Sequence, residues 1–137
     1  MELVALTGLS RFVLEDLIKH KLRAIEIVGF RNLTGAMELR EGDNVFLTHI
    51  GREEINIGTE GLIAEVIKKE HSMRKFLSHS ETDEVEIETV RLRLKYLCRG
   101  RISEIERREM IRVKAVSYTH LRAHETSLHL VCRLLLE

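Results

Sequence analysis

The run over residues 85–97 constrains this chain more than any other. Apolar Val85, Ile87, Val90, Leu92 and Leu94 alternate with charged Glu86, Glu88, Arg91, Arg93 and Lys95. A period of two sends successive side chains to opposite faces of a strand, so this segment reads as a long strand with one buried and one charged face. Such a strand needs paired neighbours and a core against its apolar side. The chain has 137 residues, room for one domain, and an apolar fraction of 44% that can fill a core.

The remaining elements follow from local chemistry. Glu2, Leu3, Val4, Ala5 and Leu6 form a short buried strand. Thr7 to Ser10 turns the chain, and Ser10 is a good helix N-cap. Beyond it Phe12, Val13, Leu17, Ile18 and Leu22 fall on one helical face, with Glu15 and Asp16 early and Lys19, Lys21 and Arg23 late, as the helix dipole favours. Residues 24–28 resume strand character, and residues 29–35 read as a loop. The string Leu39-Arg40-Glu41-Gly42-Asp43-Asn44-Val45-Phe46-Leu47 predicts a tight turn feeding a strand, with Gly42 supplying a positive φ and Asp43 capping the turn. After a loop from Gly51 to Gly61, residues 62–67 form another strand. Residues 68–84 are polar and read as an excursion with a helical turn around residues 73–77. Residues 102–113 form a short helix or a turn into a further strand.

Composition excludes several classes. Basic and acidic residues number 22 each, so no bulk charge recommends a polyanionic partner. The two cysteines, Cys98 and Cys132, are too few for a disulfide scaffold. Proline is absent. The opening lacks the basic and long apolar regions of a signal peptide, and no run approaches membrane-spanning length. The expectation is a soluble, cytoplasmic, bacterial-type protein without a membrane partner. The charge is uneven, however: 11 basic against 17 acidic residues up to Val90, then 9 against 3 from Arg91 to Lys114. That split fits pairing between the two parts in the fold, or an anionic partner for the second.

Catalysis is not expected. Glu53-Glu54 and Asp83-Glu84 lie in polar loops, where carboxylates are solvated. His49, His71 and His79 have no second ligand at metal spacing, and Cys98 has no His placed beside it. There is no P-loop or dinucleotide fingerprint, so no cofactor is expected.

Residues 116–137, VSYTHLRAHETSLHLVCRLLLE, resemble the translation of a transposon-based sequencing adapter. The transposon end CTGTCTCTTATACACATCT in its third frame gives residues 116–121, and the index primer gives residues 122–126. A variable patch at Ser127, Leu128 and His129 follows, and the flow-cell primer gives residues 130–137. On this reading the biological domain is residues 1–114, cut short of its own terminus, with residues 115–137 a non-native tail. His120, His124, His129, Glu125 and Cys132, which would otherwise suggest zinc, then carry no meaning, and no metal site is expected.

The order strand, helix, strand, turn, strand, strand, excursion, long strand is α+β with a curled sheet. With the strings LVALTGLSRFVLEDLIKH, LREGDNVFLTHI, GLIAEVI and VRLRLKYL, the chain resembles the PUA-like superfamily, within it the EVE and ASCH groups. The resemblance implies a small curled β-barrel with one N-terminal helix packed against it, truncated at its C-terminus. It also implies a reader of DNA or RNA, of a modified or flipped base. Phe30 would then stack, with Arg31 and Asn32 at the pocket mouth, and Arg91, Arg93 and Lys95 would meet phosphates. The chain has no Trp, unlike many stacking pockets. A second resemblance lies in residues 101–113, similar to the entry of a PilZ domain. It implies a flagellar-brake-type receptor whose Arg107, Arg108 and Arg112 bind cyclic di-GMP. A third possibility is an interaction module with no small ligand.

Overall fold

The computed structural model describes residues 2–28, 32–77 and 84–118. Eight elements follow in chain order: β1 (Glu2–Leu6), α1 (Arg11–His20), β2 (Leu22–Val28), α2 (Leu33–Glu38), β3 (Asn44–Leu47), β4 (Glu60–Leu77), β5 (Glu84–Arg107) and β6 (Ile111–Tyr118). The fold is α+β.

β1 lies parallel to β3, a pairing made possible by the long crossover through α1, β2 and α2. All other pairings are antiparallel. The strands β5, β4, β3, β1 and β6 form a closed ring, because β6 returns to pair with β5. β2 stands outside the ring, on the first half of β5.

One bulge organises the two cores. Ile63 pairs with Cys98 and Ala64 with Tyr96, which leaves Leu97 without a partner on β4. An extra residue reverses which face alternate side chains occupy. Before the bulge, Val90, Leu92 and Leu94 pack with Leu14 and Leu17 of α1 in one core. After it, Cys98 and Ile102 pack with Phe46, Ile63, Ile111 and Val113 in the other. Ile55, fully buried, inserts from the loop between β3 and β4 into this second core. The alternation expected of β5 is thus present, but it changes sides.

α1 starts where expected but ends at His20, capped by Lys21 in the left-handed conformation at φ 67°, so Leu22 and Arg23, expected on the helix, open β2 instead. Its buried face is Leu14 and Leu17, whereas Phe12, expected inside, is 71% exposed. Phe12 instead carries the Arg23 guanidinium 5.9 Å from its ring centroid. The turn at residues 40–43 forms as expected. Gly42 has φ 92°, Asp43 Oδ2 accepts the Arg40 amide at 2.9 Å, and Gly42 donates to the Val66 carbonyl at 2.7 Å.

Two further expectations need correction, and one open alternative is decided. Residues 33–35, expected in a loop, belong to the second helix, α2, so the ring carries two helices and not one. α2 is short and includes a glycine, and tertiary contact supplies what propensity does not. Ala36 is fully buried, and a Cβ on Gly35 would lie 2.9 Å from Val4 Cγ1. The helical turn expected near residues 73–77 is strand: β4 runs on to Leu77, paired with β5 back to Glu84. Cross-strand hydrogen bonding holds this part of the ladder, where polar side chains give no period-two signal. Of the two readings of residues 102–113, the strand is the one found, with β5 continuing to Arg107 and β6 starting at Ile111.

Val116, Ser117 and Tyr118 extend β6 opposite Arg101, Gly100 and Arg99. Residues 119–137, with His120, His124, Glu125, His129 and Cys132, lie outside the described residues. Among the described residues no helix is long and apolar enough to cross a membrane.

Candidate nucleic-acid interface

Arg91, Arg93 and Lys95 alternate with buried Val90, Leu92 and Leu94, so they share the face of β5 turned away from the helices. All three are exposed. None makes an ion pair or side-chain hydrogen bond among the described residues. The cross-strand partners differ. Arg91 lies between Glu26 and Glu70, Lys95 between Leu22 and Glu65, but Arg93 lies between Ala24 and Lys68. Like charges directly opposite each other on a sheet are destabilising. Lys68 pairs with Glu70 at 3.2 Å, a bond between two exposed side chains that is worth little. Of the three, Arg93 alone has no acid opposite it, with Lys68 on one side and the small side chain of Ala24 on the other.

Two depressions meet here. One of about 460 Å³ is lined by Leu22, Ala24, Lys68, Arg91 and Arg93, among others. The other, about 480 Å³, lies between β2 and residues 8–10, and it shares Arg23, Ala24 and Arg91 with the first. Arg23 donates to Asp16 Oδ2 at 2.5 Å, and its Nε is buried without a partner among the described residues. The Arg23 guanidinium, with His20 as a smaller influence, holds the Asp16 carboxyl below its ordinary value despite some desolvation.

Asn32 is committed elsewhere. Its Nδ2 donates to the Thr7 carbonyl at 2.7 Å, and its Oδ1 accepts the Thr7 amide at 2.9 Å. It thereby ties the start of α2 to the end of β1, close to the glycine that opens the second depression. Phe30 and Arg31 lie outside the described residues. Lys68 and Arg23 were not singled out by sequence reasoning. Lys68 sat in a stretch read as an excursion, and only its register opposite Arg93 reveals it.

The arginines of the cyclic-dinucleotide reading are committed to separate places, and of the three only Arg112 lines the cavity of about 530 Å³ that also holds Glu2, Glu38 and Glu65. Arg107 donates to the carbonyl oxygens of Arg52, at 2.9 Å, and Ile55. Arg108 pairs with Glu106 at 2.6 Å in the turn before β6. Arg112, half-buried in β6, lies opposite Val4 and Glu106. No group of three or more His, Cys, Asp or Glu side chains is placed to hold a metal among the described residues.

A profile of the family described as protein of unknown function (DUF473) matches residues 1–116. The chain belongs to this family. The DUF473 stretch takes in all of β1 to β5 and most of β6, and both basic depressions lie within it. Its match ends at the residue where the adapter-like string begins. The chain is also 34% identical over 67 residues to an uncharacterized protein of Methanocaldococcus jannaschii, a stretch covering 49% of this chain and 44% of that relative. The aligned stretch thus spans less than half of the relative.

Proposed function

We propose that this chain binds nucleic acid across the exposed face of β2, β5 and β4, with phosphates on Lys68, Arg93, Arg91 and Lys95. One observation carries the reading: Arg93 and Lys68 stand directly opposite each other with no acid between them, beside a depression, and Arg93 is unpaired among the described residues. Like charges opposite each other are destabilising; Glu70 offsets this at Lys68, 3.2 Å away, and a bound polyanion would supply a counter-charge to Arg93 as well. The closed strand ring, flanked by α1 and entered through a Gly-Asp turn, supports a PUA-like assignment and with it a reader of bases. The base-stacking role of Phe30, and the place of Arg31 at the pocket mouth, are implications of that resemblance. The phosphate face stands without it.

The test is retention of a labelled single-stranded oligonucleotide, as RNA and as DNA, at low salt. Arg91→Glu combined with Arg93→Glu should abolish retention, while Lys114→Glu, at a lysine already paired with Glu104 at 3.1 Å, should leave it intact. Unchanged retention in the double variant would remove this face from consideration.

A further inference from the structure

The bulge at Leu97 places a second set of charges on the opposite side of the sheet. Arg99 faces α1, where it lines a cavity of about 280 Å³ together with Arg11, Leu14, Glu15 and Ile18 of the helix and His49, Glu60 and Leu62 of the strand ends. This site shares no residue with the basic face described above.

Several of its polar groups are already committed. Glu60 pairs with Arg101 at 3.3 Å. Thr48 donates its hydroxyl to the Glu60 carbonyl at 3.1 Å. Arg11 Nη2 lies 3.1 Å from His49 Nε2. A guanidinium only donates, so Nε2 is the acceptor in this contact. Two charged groups remain. Glu15 and Arg99 are both exposed to the same cavity, and neither forms an ion pair or side-chain hydrogen bond among the described residues. A carboxylate and a guanidinium that line one cavity without pairing suit a ligand that carries both charges itself, because each gains a charge-assisted bond only when that ligand is present.

The floor selects among such ligands. Leu14 and Leu62 are buried and Ile18 is half-buried, so the bottom is aliphatic. No aromatic side chain lines the cavity among the described residues. A nucleobase would be expected to find a stacking ring. An aliphatic side chain needs only apolar area.

We infer that the cavity between α1 and Arg99 binds a free α-amino acid with an aliphatic side chain. Its carboxylate lies on Arg99, with Arg11 beside it, its ammonium on Glu15, and its side chain on Leu14, Ile18 and Leu62. The inference is independent of the nucleic-acid face.

The experiment is a titration of the full chain with L-leucine, followed by amide chemical shifts and by calorimetry. Isovalerate, which lacks the amine, and isoamylamine, which lacks the carboxylate, serve as single-charge analogues. Leucine should bind saturably and shift amides of residues 11–18, 48–49 and 60–62, with each analogue at least tenfold weaker. Arg99→Gln and Glu15→Gln, both at exposed positions that leave the cores untouched, should each weaken leucine at least tenfold. Arg93→Glu, on the other face, should leave leucine binding unchanged. If leucine gives no saturable shift, if the analogues bind as well, or if Arg99→Gln and Glu15→Gln bind leucine like the parent, the proposal fails.

Discussion

Arg52 and Arg107 each hold the backbone of the segment that carries the other. The Arg52 guanidinium donates to the carbonyl oxygens of Arg108 at 2.6 Å and Glu109 at 3.2 Å, and Arg107 donates back to those of Arg52, at 2.9 Å, and Ile55. The loop carrying Ile55 into the second core is thereby fastened to the turn between β5 and β6. A planar fork reaches two carbonyls at once, which an ammonium on a flexible stem does poorly. Arg107→Ala is expected to cost about 1–2 kcal/mol, Arg107→Lys nearly as much, and the double variant with Arg52→Ala less than the sum, because both arginines secure one junction. Urea denaturation midpoints measure all three. The same commitment predicts that cyclic di-GMP leaves the thermal midpoint unchanged, and an Arg107-dependent rise would show that this arginine serves a ligand instead.

At Gly61 β4 lies against the end of β3 with no room for a side chain. A Cβ there would stand 2.4 Å from the Leu47 carbonyl oxygen and 2.6 Å from the Phe46 ring. A backbone carbonyl in a paired strand cannot step aside, and Phe46 is fully buried. Gly61→Ala should therefore destabilise by about 3 kcal/mol or more, at or above the usual range for overpacking. Gly51→Ala, where a Cβ meets nothing within 4 Å, is the control and should stay within about 0.5 kcal/mol of the parent. Equal midpoints for the two variants would contradict the close approach.

What could be read from the chain followed from periodicity. Val90, Leu92 and Leu94 against Arg91, Arg93 and Lys95 announced a half-buried strand, and the Gly42-Asp43 turn announced its own geometry through φ and a side-chain cap. What was not legible depended on partners distant in sequence. The reversal at Leu97 arises from register against β4, and nothing local to Tyr96-Leu97-Cys98 signals it. For the same reason the charge excess after Arg91 left pairing within the fold and an anionic partner both open, and the fold divides it between two faces. α2 was hidden because its stability comes from Val4 and the first core rather than from helix propensity. Lys68 became part of the interface only through its place opposite Arg93.

Asp16 provides a pH signature. Its hydrogen bond to Arg23, followed by the influence of His20, holds its carboxyl below the ordinary carboxylate value in the folded chain. A group with a depressed folded value contributes stability that is fully present above its unfolded value and is lost as the pH falls through the folded one. Stability should thus be flat in this respect from neutral pH down to about 4–5, then decline. Asp16→Asn should lower stability at neutral pH and flatten the acid limb of the profile. The check is urea midpoints across the acid range; parallel profiles for parent and variant would show that the carboxylate gains nothing from Arg23.

The adapter-like reading of residues 116–137 has a structural consequence. The members of both cores and the hydrophobic residues packed against them reach no further than Ala115 among the described residues, and the pairing of β6 with β5 runs to Tyr118. With Cys98 kept reduced, a chain ending after Tyr118 should therefore unfold cooperatively at the midpoint of the full chain. The genomic sequence beyond Lys114 should also diverge from the adapter string. A midpoint lowered by more than about 1 kcal/mol equivalent, well outside the usual surface effect, would make the tail part of the fold.

Salt dependence and charge reversal test the basic face without relying on lost function. If Lys68, Arg91, Arg93 and Lys95 neutralise three or four phosphates, the logarithm of the binding constant should fall with the logarithm of salt at a slope of about −2 to −3 for a single strand. Glu70 currently offsets this field: it lies opposite Arg91 and pairs with Lys68 at 3.2 Å. Glu70→Gln removes a negative charge from between two of the four cations and frees the Lys68 ammonium. Both effects favour a polyanion, so affinity at low salt should rise several-fold and the slope should steepen by nearly one unit. The variant should cost little stability, because the lost pair joins two exposed side chains. Fluorescence anisotropy over a salt series measures affinity and slope together. A Glu70→Gln protein that binds more weakly, or with an unchanged slope, would mean that the oligonucleotide lies elsewhere on the molecule.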